Sequence, residues 1–164
     1  MPKVARILVV SDSVAGGLSE DRGGPALEQS LGESGFEVDV RRVVADGIET
    51  VAAALREMSD GFAGLLVTTG GTGFSPRDLT PEATRTVIER EAPGLAEAMR
   101  LVNPLGRLSR GVAGTVDQTL IINLPGSPGG ALECLNAVLD VIPHALELLS
   151  GAQPHRSPDN SAST

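Results

Sequence analysis

Between Gly64 and Thr84 the chain reads Gly-Leu-Leu-Val-Thr-Thr-Gly-Gly-Thr-Gly-Phe-Ser-Pro-Arg-Asp-Leu-Thr-Pro-Glu-Ala-Thr, and this stretch holds the residues best suited to chemistry. Gly70, Gly71 and Gly73 allow positive φ and leave peptide N–H groups without side-chain cover, which suits the binding of an anionic oxygen. Hydroxyls at Thr69, Thr72 and Ser75 surround them, and Arg77 and Asp78 add one charge of each sign. Thr80 reads as a helix cap, Pro81 as the first helical position and Glu82 as a first-turn acid. A glycine loop running into a helix N-terminus can hold phosphate, and an adjacent carboxylate can hold a divalent cation. A ligand-free strand-to-helix turn has the same local pattern, because a glycine motif alone is a weak signal.

The elements that must position this loop follow from the apolar periodicity. Ile7-Leu8-Val9-Val10 is a continuous apolar run of the kind buried on both faces of a parallel sheet, and it ends at Ser11-Asp12-Ser13. A helix introduced by Asp21 to Pro25 carries Ala26, Leu27 and Leu31 to Gly35; a second strand spans Phe36 to Val44 and ends at Ala45-Asp46-Gly47. A helix over about Ile48 to Ser59 then leads into the strand Leu65 to Thr68. Beyond the loop the pattern predicts helices over Pro81 to Glu91 and Pro93 to Leu101, and a hairpin of Ser109 to Val116 with Thr119 to Leu124. The loop Leu124-Pro125-Gly126-Ser127-Pro128-Gly129-Gly130 precedes one long apolar helix over Ala131 to Leu149. Strand and helix alternation implies a mostly parallel sheet covered on both sides, the hairpin contributing an antiparallel strand. Asp12, Asp46, the Gly70 loop and the Pro125 loop then lie at carboxyl ends of strands, where open α/β sheets bind ligands.

The 164 residues suit one domain over residues 1–150, with a Pro- and Ser-rich tail over 151–164 read as disordered. A net charge of -8 and an aromatic content of 2% argue against a nucleic-acid partner. A phosphorylated ligand would therefore be held by local N–H groups, a few arginines and a cation. The lone Cys134, in an apolar helix, reads as a core residue and excludes an internal disulfide, and His144 and His155 cannot build a zinc cluster. No stretch has the length and hydropathy of a membrane span or secretion signal, so a cytoplasmic protein is expected.

Thr68-Thr69-Gly70-Gly71-Thr72-Gly73, the continuation Ser75-Pro76-Arg77-Asp78-Leu79-Thr80-Pro81-Glu82-Ala83-Thr84 and the distant Asn123-Leu124-Pro125-Gly126-Ser127-Pro128 together resemble the MogA/MoaB family of molybdenum-cofactor biosynthesis proteins. The resemblance extends over Ile7 to Ser150 and includes Ser11-Asp12, Glu20-Asp21 with Gly24-Pro25-Ala26-Leu27, and Leu108-Ser109-Arg110. It implies a three-layer α/β/α molybdopterin-binding fold, commonly a homotrimer, which transfers AMP from ATP to the terminal phosphate of molybdopterin with Mg²⁺ and releases pyrophosphate. By motif position, Asp46 and Asp78 match the family's two functionally critical aspartates, and as carboxylates beside a phosphate loop they are expected to be catalytic and to hold Mg²⁺. Thr69, Gly70, Gly71, Thr72, Gly73 and Ser127 match positions lining the pterin and phosphate pocket; Ser75, Ser109, Arg110, Pro125 and Gly126 are expected to bind the substrate with them, and Asp12, Gly71 and Asp78 the nucleotide. Other proteins of the cofactor pathway are implied partners. Ser13 and Gly129 depart from the pattern, standing where Arg and Lys are usual. A non-catalytic molybdopterin-binding or scaffold paralogue is the alternative the same resemblance leaves open.

Overall fold

The computed structural model describes residues 3–152. Most of the tail expected over 151–164, including His155, lies outside the described residues. The chain begins with β1 (Lys3–Val10), passes through one helical turn, α1 (Asp12–Ala15), and helix α2 (Gly23–Glu33), and returns as β2 (Phe36–Val44). Helix α3 (Ile48–Ser59) leads to β3 (Gly64–Thr69), followed by the glycine loop, α4 (Thr80–Arg85), a two-residue strand β4 (Arg90–Glu91) and α5 (Pro93–Leu101). A 3-10 turn over Pro104–Leu108 precedes β5 (Ala113–Val116) and β6 (Thr119–Leu124), and α6 (Pro128–Asn136) and α7 (Ile142–Leu149) follow.

The six strands lie in the order β2-β1-β3-β6-β5-β4. β2, β1, β3 and β6 are parallel, while β5 runs antiparallel to both β6 and β4. This is the mixed, mostly parallel sheet that the strand and hairpin pattern implied. Asp117, at φ 46°, makes the two-residue turn of the β5–β6 hairpin with Gln118. Because the chain leaves β1 for β2 on one side and returns to β3 on the other, the topological switch lies between β1 and β3.

Side chains alternate between two cores. Ile7, Val9, Leu65, Val67, Leu120 and Ile122 face Leu27, Leu31, Met99, Leu135 and Ile142. Leu8, Val10, Leu66 and Ile121 face Val51, Leu55, Met58 and Ala83 on α3 and α4. The period of two along each strand thus splits each apolar run between two helix layers. Every residue of β3 and β6 is buried, so the strands that carry the two glycine-rich loops are the most tightly held.

Several sequence expectations are corrected. The helix read over Pro81 to Glu91 stops at Arg85: Val87 and Ile88 are β-branched, and Arg90–Glu91 pair with Gly114 and Thr115 of β5 instead. Thr80 does not cap α4; it is fully buried and its hydroxyl donates to the Gly70 carbonyl at 3.0 Å. The long helix over Ala131 to Leu149 is two helices. Pro143 has no N–H to continue the first, and its ring sits in the opening turn of α7. The first arm of the hairpin begins at Ala113, because Pro104–Leu108 forms the 3-10 turn and Arg110 turns away to bond Thr72.

Candidate functional site

The loop after β3 owes its shape to two left-handed glycines. Gly70, at φ 101°, lies so close to β1 that a Cβ would stand 2.1 Å from the Val10 carbonyl oxygen. Gly71, at φ 69°, leaves no room beside the Thr80 hydroxyl, 2.2 Å from where its Cβ would be. The loop carbonyls are drawn into the protein. Gly70 O accepts from Thr80 Oγ1, Gly71 O from Thr80 N at 3.0 Å, Thr72 O from Arg110 N at 2.9 Å, and Gly73 O from Arg110 Nε at 2.8 Å. Among the described residues, the N–H groups of Gly71, Thr72 and Gly73 donate to no protein acceptor. Three successive donors without protein partners, backed by four satisfied carbonyls, are able to receive an anionic oxygen.

Arg110 therefore holds the loop from behind. Besides Gly73 O, its guanidinium donates to Asp78 O at 2.5 Å and pairs with Glu82. Burial pushes the Glu82 carboxyl up, but the Arg110 hydrogen bond and charge, with its own backbone N–H and the Arg85 charge, bring it below its ordinary value. Ser75 also serves the loop, its N–H donating to Asp78 Oδ2 at 3.0 Å. The structure thus places Arg110 and Ser75 behind or above the clefts described next, lining neither.

On one side of the loop lies a cleft of about 390 Å³, at the β1–β3 switch. Its wall includes Asp46, Asp78, Thr69, Gly70, Gly71 and Gly126, with Ser11, Glu20, Asp21 and Arg22 from the β1–α2 connection. Four carboxylates face one guanidinium, so the cleft is electronegative and suits a ligand that brings cations with it. On the other side lies a larger cleft of about 580 Å³, lined by Thr72, Gly73, Ser109, Pro125 and Ser127 and floored by Met99 and Cys134. The two clefts share Gly71, Asp78 and Gly126. Ser127 caps α6, its Oγ accepting from Gly130 N at 3.2 Å, so the positive end of that helix opens on the larger cleft.

Asp12 lines neither cleft; it holds Asp46. The two aspartates exchange bonds, Asp12 N donating to Asp46 Oδ2 at 3.0 Å and Asp46 N to Asp12 Oδ1 at 3.1 Å. Arg77 clamps Asp12 through Nε and Nη2 at 2.9 and 3.0 Å and also donates to the Asp46 carbonyl. Arg77 thus pairs with Asp12 across the sheet edge and not with its chain neighbour Asp78. Arg77 hydrogen bonding holds the Asp12 carboxyl below its ordinary value. Burial pushes Asp46 up, and the Asp12 and Asp78 charges add to this against the Asp12 N–H bond.

The two shifts have opposite linkage. Asp12 contributes stability that is present above its unfolded value and lost as pH falls through its lower folded value. Asp46 contributes stability below its unfolded value that is lost as pH rises through its higher folded value. In a carboxyl-carbon NMR titration, Asp12 should titrate below and Asp46 above an unstructured aspartate, and Arg77→Met should move Asp12 upward. Coincident curves for the two aspartates would contradict the network.

The fold and loops have known counterparts. A family model described as "Probable molybdopterin binding domain" matches residues 6–144. The chain belongs to the MogA/MoaB family. A molybdopterin adenylyltransferase of Helicobacter pylori is 40% identical over 153 residues, covering 88% of this chain and 86% of that protein. The MoaB structure from Thermus thermophilus, described as a molybdopterin biosynthesis enzyme, is 48% identical with a TM-score of 0.85 over 91% of this chain and 97% of that one. Gephyrin of Dictyostelium discoideum is 38% identical over 95% of this chain, which spans 24% of gephyrin's length. No helix among the described residues is long and apolar enough to cross a membrane.

The sequence-based site omits Asn103, Glu133 and Cys134 of the larger cleft, and Ser11 and Arg22 of the smaller. Glu133 and Cys134 have a legible signal: with Ser127 and Gly130 they recur at helical spacing on one face of α6. Cys134 is both core, as its apolar helix implies, and cleft floor; it is 8% exposed, and burial raises its thiol.

Proposed function

We propose that this chain transfers AMP from ATP to the terminal phosphate of molybdopterin, with ATP in the smaller cleft and molybdopterin in the larger. The observation that carries the reading is the shared wall: Gly71, Asp78 and Gly126 border both clefts, beneath the unpartnered N–H groups of the glycine loop. A phosphate oxygen of molybdopterin attacks the α-phosphorus of ATP, forming a new O–P bond. The bond from the α-phosphorus to the bridging oxygen breaks, and pyrophosphate leaves with the electron pair. The acceptor supplies the nucleophile, so the protein's work is alignment and charge stabilisation. In this reading the loop N–H groups and the N-terminus of α6 hold the acceptor phosphate against the nucleotide, and Arg110 keeps the loop carbonyls turned away.

The residues present fit Mg²⁺ carried by the nucleotide rather than a resident ion. No group of three or more His, Cys, Asp and Glu side chains suited to a metal exists among the described residues. Asp46 and Asp78 do face one cleft, and Asp46 is raised by burial and by its neighbours' charges. One or two carboxylates plus substrate phosphates is the usual Mg²⁺ arrangement. Asp46 and Asp78 would hold the ion, which supplies charge neutralisation for the departing pyrophosphate. A homotrimer belongs to the same reading through the family resemblance.

The experiment is to incubate the full chain with molybdopterin, ATP and Mg²⁺ and to follow adenylylated product and pyrophosphate. Stoichiometric release of both supports the transferase. Molybdopterin binding without either product would instead make this a binding paralogue, the reading that Gly129 in the usual lysine position favours.

A further inference from the structure

The larger cleft carries charge at only two points of its lining. Asp78 stands at the loop end, and Glu133 stands on α6, past Ser127 and Gly130 along the same helix face. The rest of the wall is uncharged, with Met99, Leu105, Leu108 and Cys134 beside the polar Asn103 and Ser109. Glu133 is held in place: its Oε2 accepts from Asn103 Nδ2 at 3.2 Å. Asn103 is itself fixed, because its Oδ1 caps the 3-10 turn by accepting from Leu105 N at 2.9 Å. Oε1 of Glu133 has no partner among the described residues, and Oε2 keeps a second lone pair. A carboxylate on the exposed rim of an otherwise uncharged stretch of cleft is an acceptor pair suited to a ligand with two adjacent N–H donors.

Each end of the cleft carries one carboxylate, but only the loop end also offers the loop N–H groups and the α6 N-terminus, so a ligand with a phosphate at one end puts that end there. Its other end then meets Glu133. A 2-aminopterin ring presents there an N3–H and a 2-amino group side by side, two donors at the spacing of a carboxylate's two oxygens. We propose that Glu133, positioned by Asn103, reads the 2-amino-4-oxo edge of the pterin and so sets both the orientation and the ring specificity of the acceptor substrate. This rests on the assignment of the larger cleft to molybdopterin. A lumazine, with a 2-oxo group in place of the 2-amino group, sets an acceptor against the carboxylate. It binds less well because an oxygen with no proton meets the carboxylate where the pterin offers a hydrogen-bond donor.

The test uses the full chain with two synthetic probes, 6-hydroxymethylpterin monophosphate and the corresponding lumazine, with affinities measured by calorimetry. The wild type should prefer the pterin by about tenfold to a hundredfold, the range for a hydrogen bond to a charged group. Glu133→Gln presents one acceptor and one donor and still accepts from Asn103, so it preserves the tie to the 3-10 turn. It should lose pterin affinity, gain lumazine affinity and bring the ratio near one. Asn103→Ala should weaken the same discrimination without reversing it. A wild-type preference that Glu133→Gln leaves unchanged overturns the role of Glu133 while leaving the cleft assignment standing. Failure of the wild type to bind either probe overturns the cleft assignment and this inference together.

Discussion

Asp78→Asn should lower the rate of AMP transfer by about a hundredfold to a thousandfold, the loss expected from removing one group that stabilises transition-state charge. The reason is position. Asp78 borders both clefts, so in the proposed reaction it faces the bond being made as well as the cation that neutralises the leaving group. The substitution is a clean probe because asparagine keeps an oxygen to accept from Ser75 N, the bond that shapes the loop. The main-chain Asp78 carbonyl that receives Arg110 is also unchanged. Pyrophosphate release and thermal unfolding should be measured on the same preparation. Turnover near the wild-type level in a folded variant would remove Asp78 from the mechanism. A drop in melting temperature comparable with the loss of activity would instead make it a structural residue.

Gly70→Ala should cause the largest loss of stability of any single methyl addition in the loop. The residue sits at φ 101°, a region L side chains rarely adopt, and the added Cβ would press on the Val10 carbonyl at 2.1 Å. The obstructing atom is backbone of a buried strand, so β1 and β3 must separate at the switch point or the loop must change conformation. Combined strain and overlap of this kind cost about 3–5 kcal/mol. For a chain of this size that is a fall in melting temperature of about 10 °C, with transfer activity lost as well. Gly129→Ala is the matched control, because a Cβ there meets nothing within 4 Å. Equal melting temperatures for the Gly70 and Gly129 variants would show that the loop tolerates a different path.

Asn123 shows how a motif residue can be read without its task being visible. The Asn-Leu-Pro-Gly-Ser-Pro run marks the second loop, but Asn123 itself is 2% exposed and lies inside β6. Its Nδ2 donates to Thr68 and Thr84 at 3.0 Å each, and its Oδ1 accepts from Val112 N at 3.1 Å. It ties the strand before the glycine loop, the helix after it and the approach to the hairpin into one unit. A fully satisfied buried amide of this kind fixes geometry, because any displacement leaves several polar groups unpaired.

The local signals in the sequence determined the order of elements and the loops that could bind a ligand. Apolar runs of strand length, their spacing from amphipathic stretches, and glycine and proline at element ends are properties of neighbouring residues, so they are legible without tertiary structure. The errors fell where a distant partner decided the outcome. Arg90 and Glu91 have a helical local pattern but form a strand, because β5 offers an open edge to pair with. Thr80 fits a cap by type, yet its hydroxyl meets the Gly70 carbonyl ten residues away and the cap is not made. The charges pair differently for the same reason. Arg77 and Asp78 are adjacent in the chain, but adjacent side chains leave a loop in different directions, and the sheet edge brings Asp12 to Arg77 instead. The division of the site into two clefts meeting at Asp78, and the placing of Glu133 opposite the loop, came only from the tertiary structure. Both depend on how strands more than fifty residues apart set their carboxyl ends side by side, a separation that no local pattern encodes.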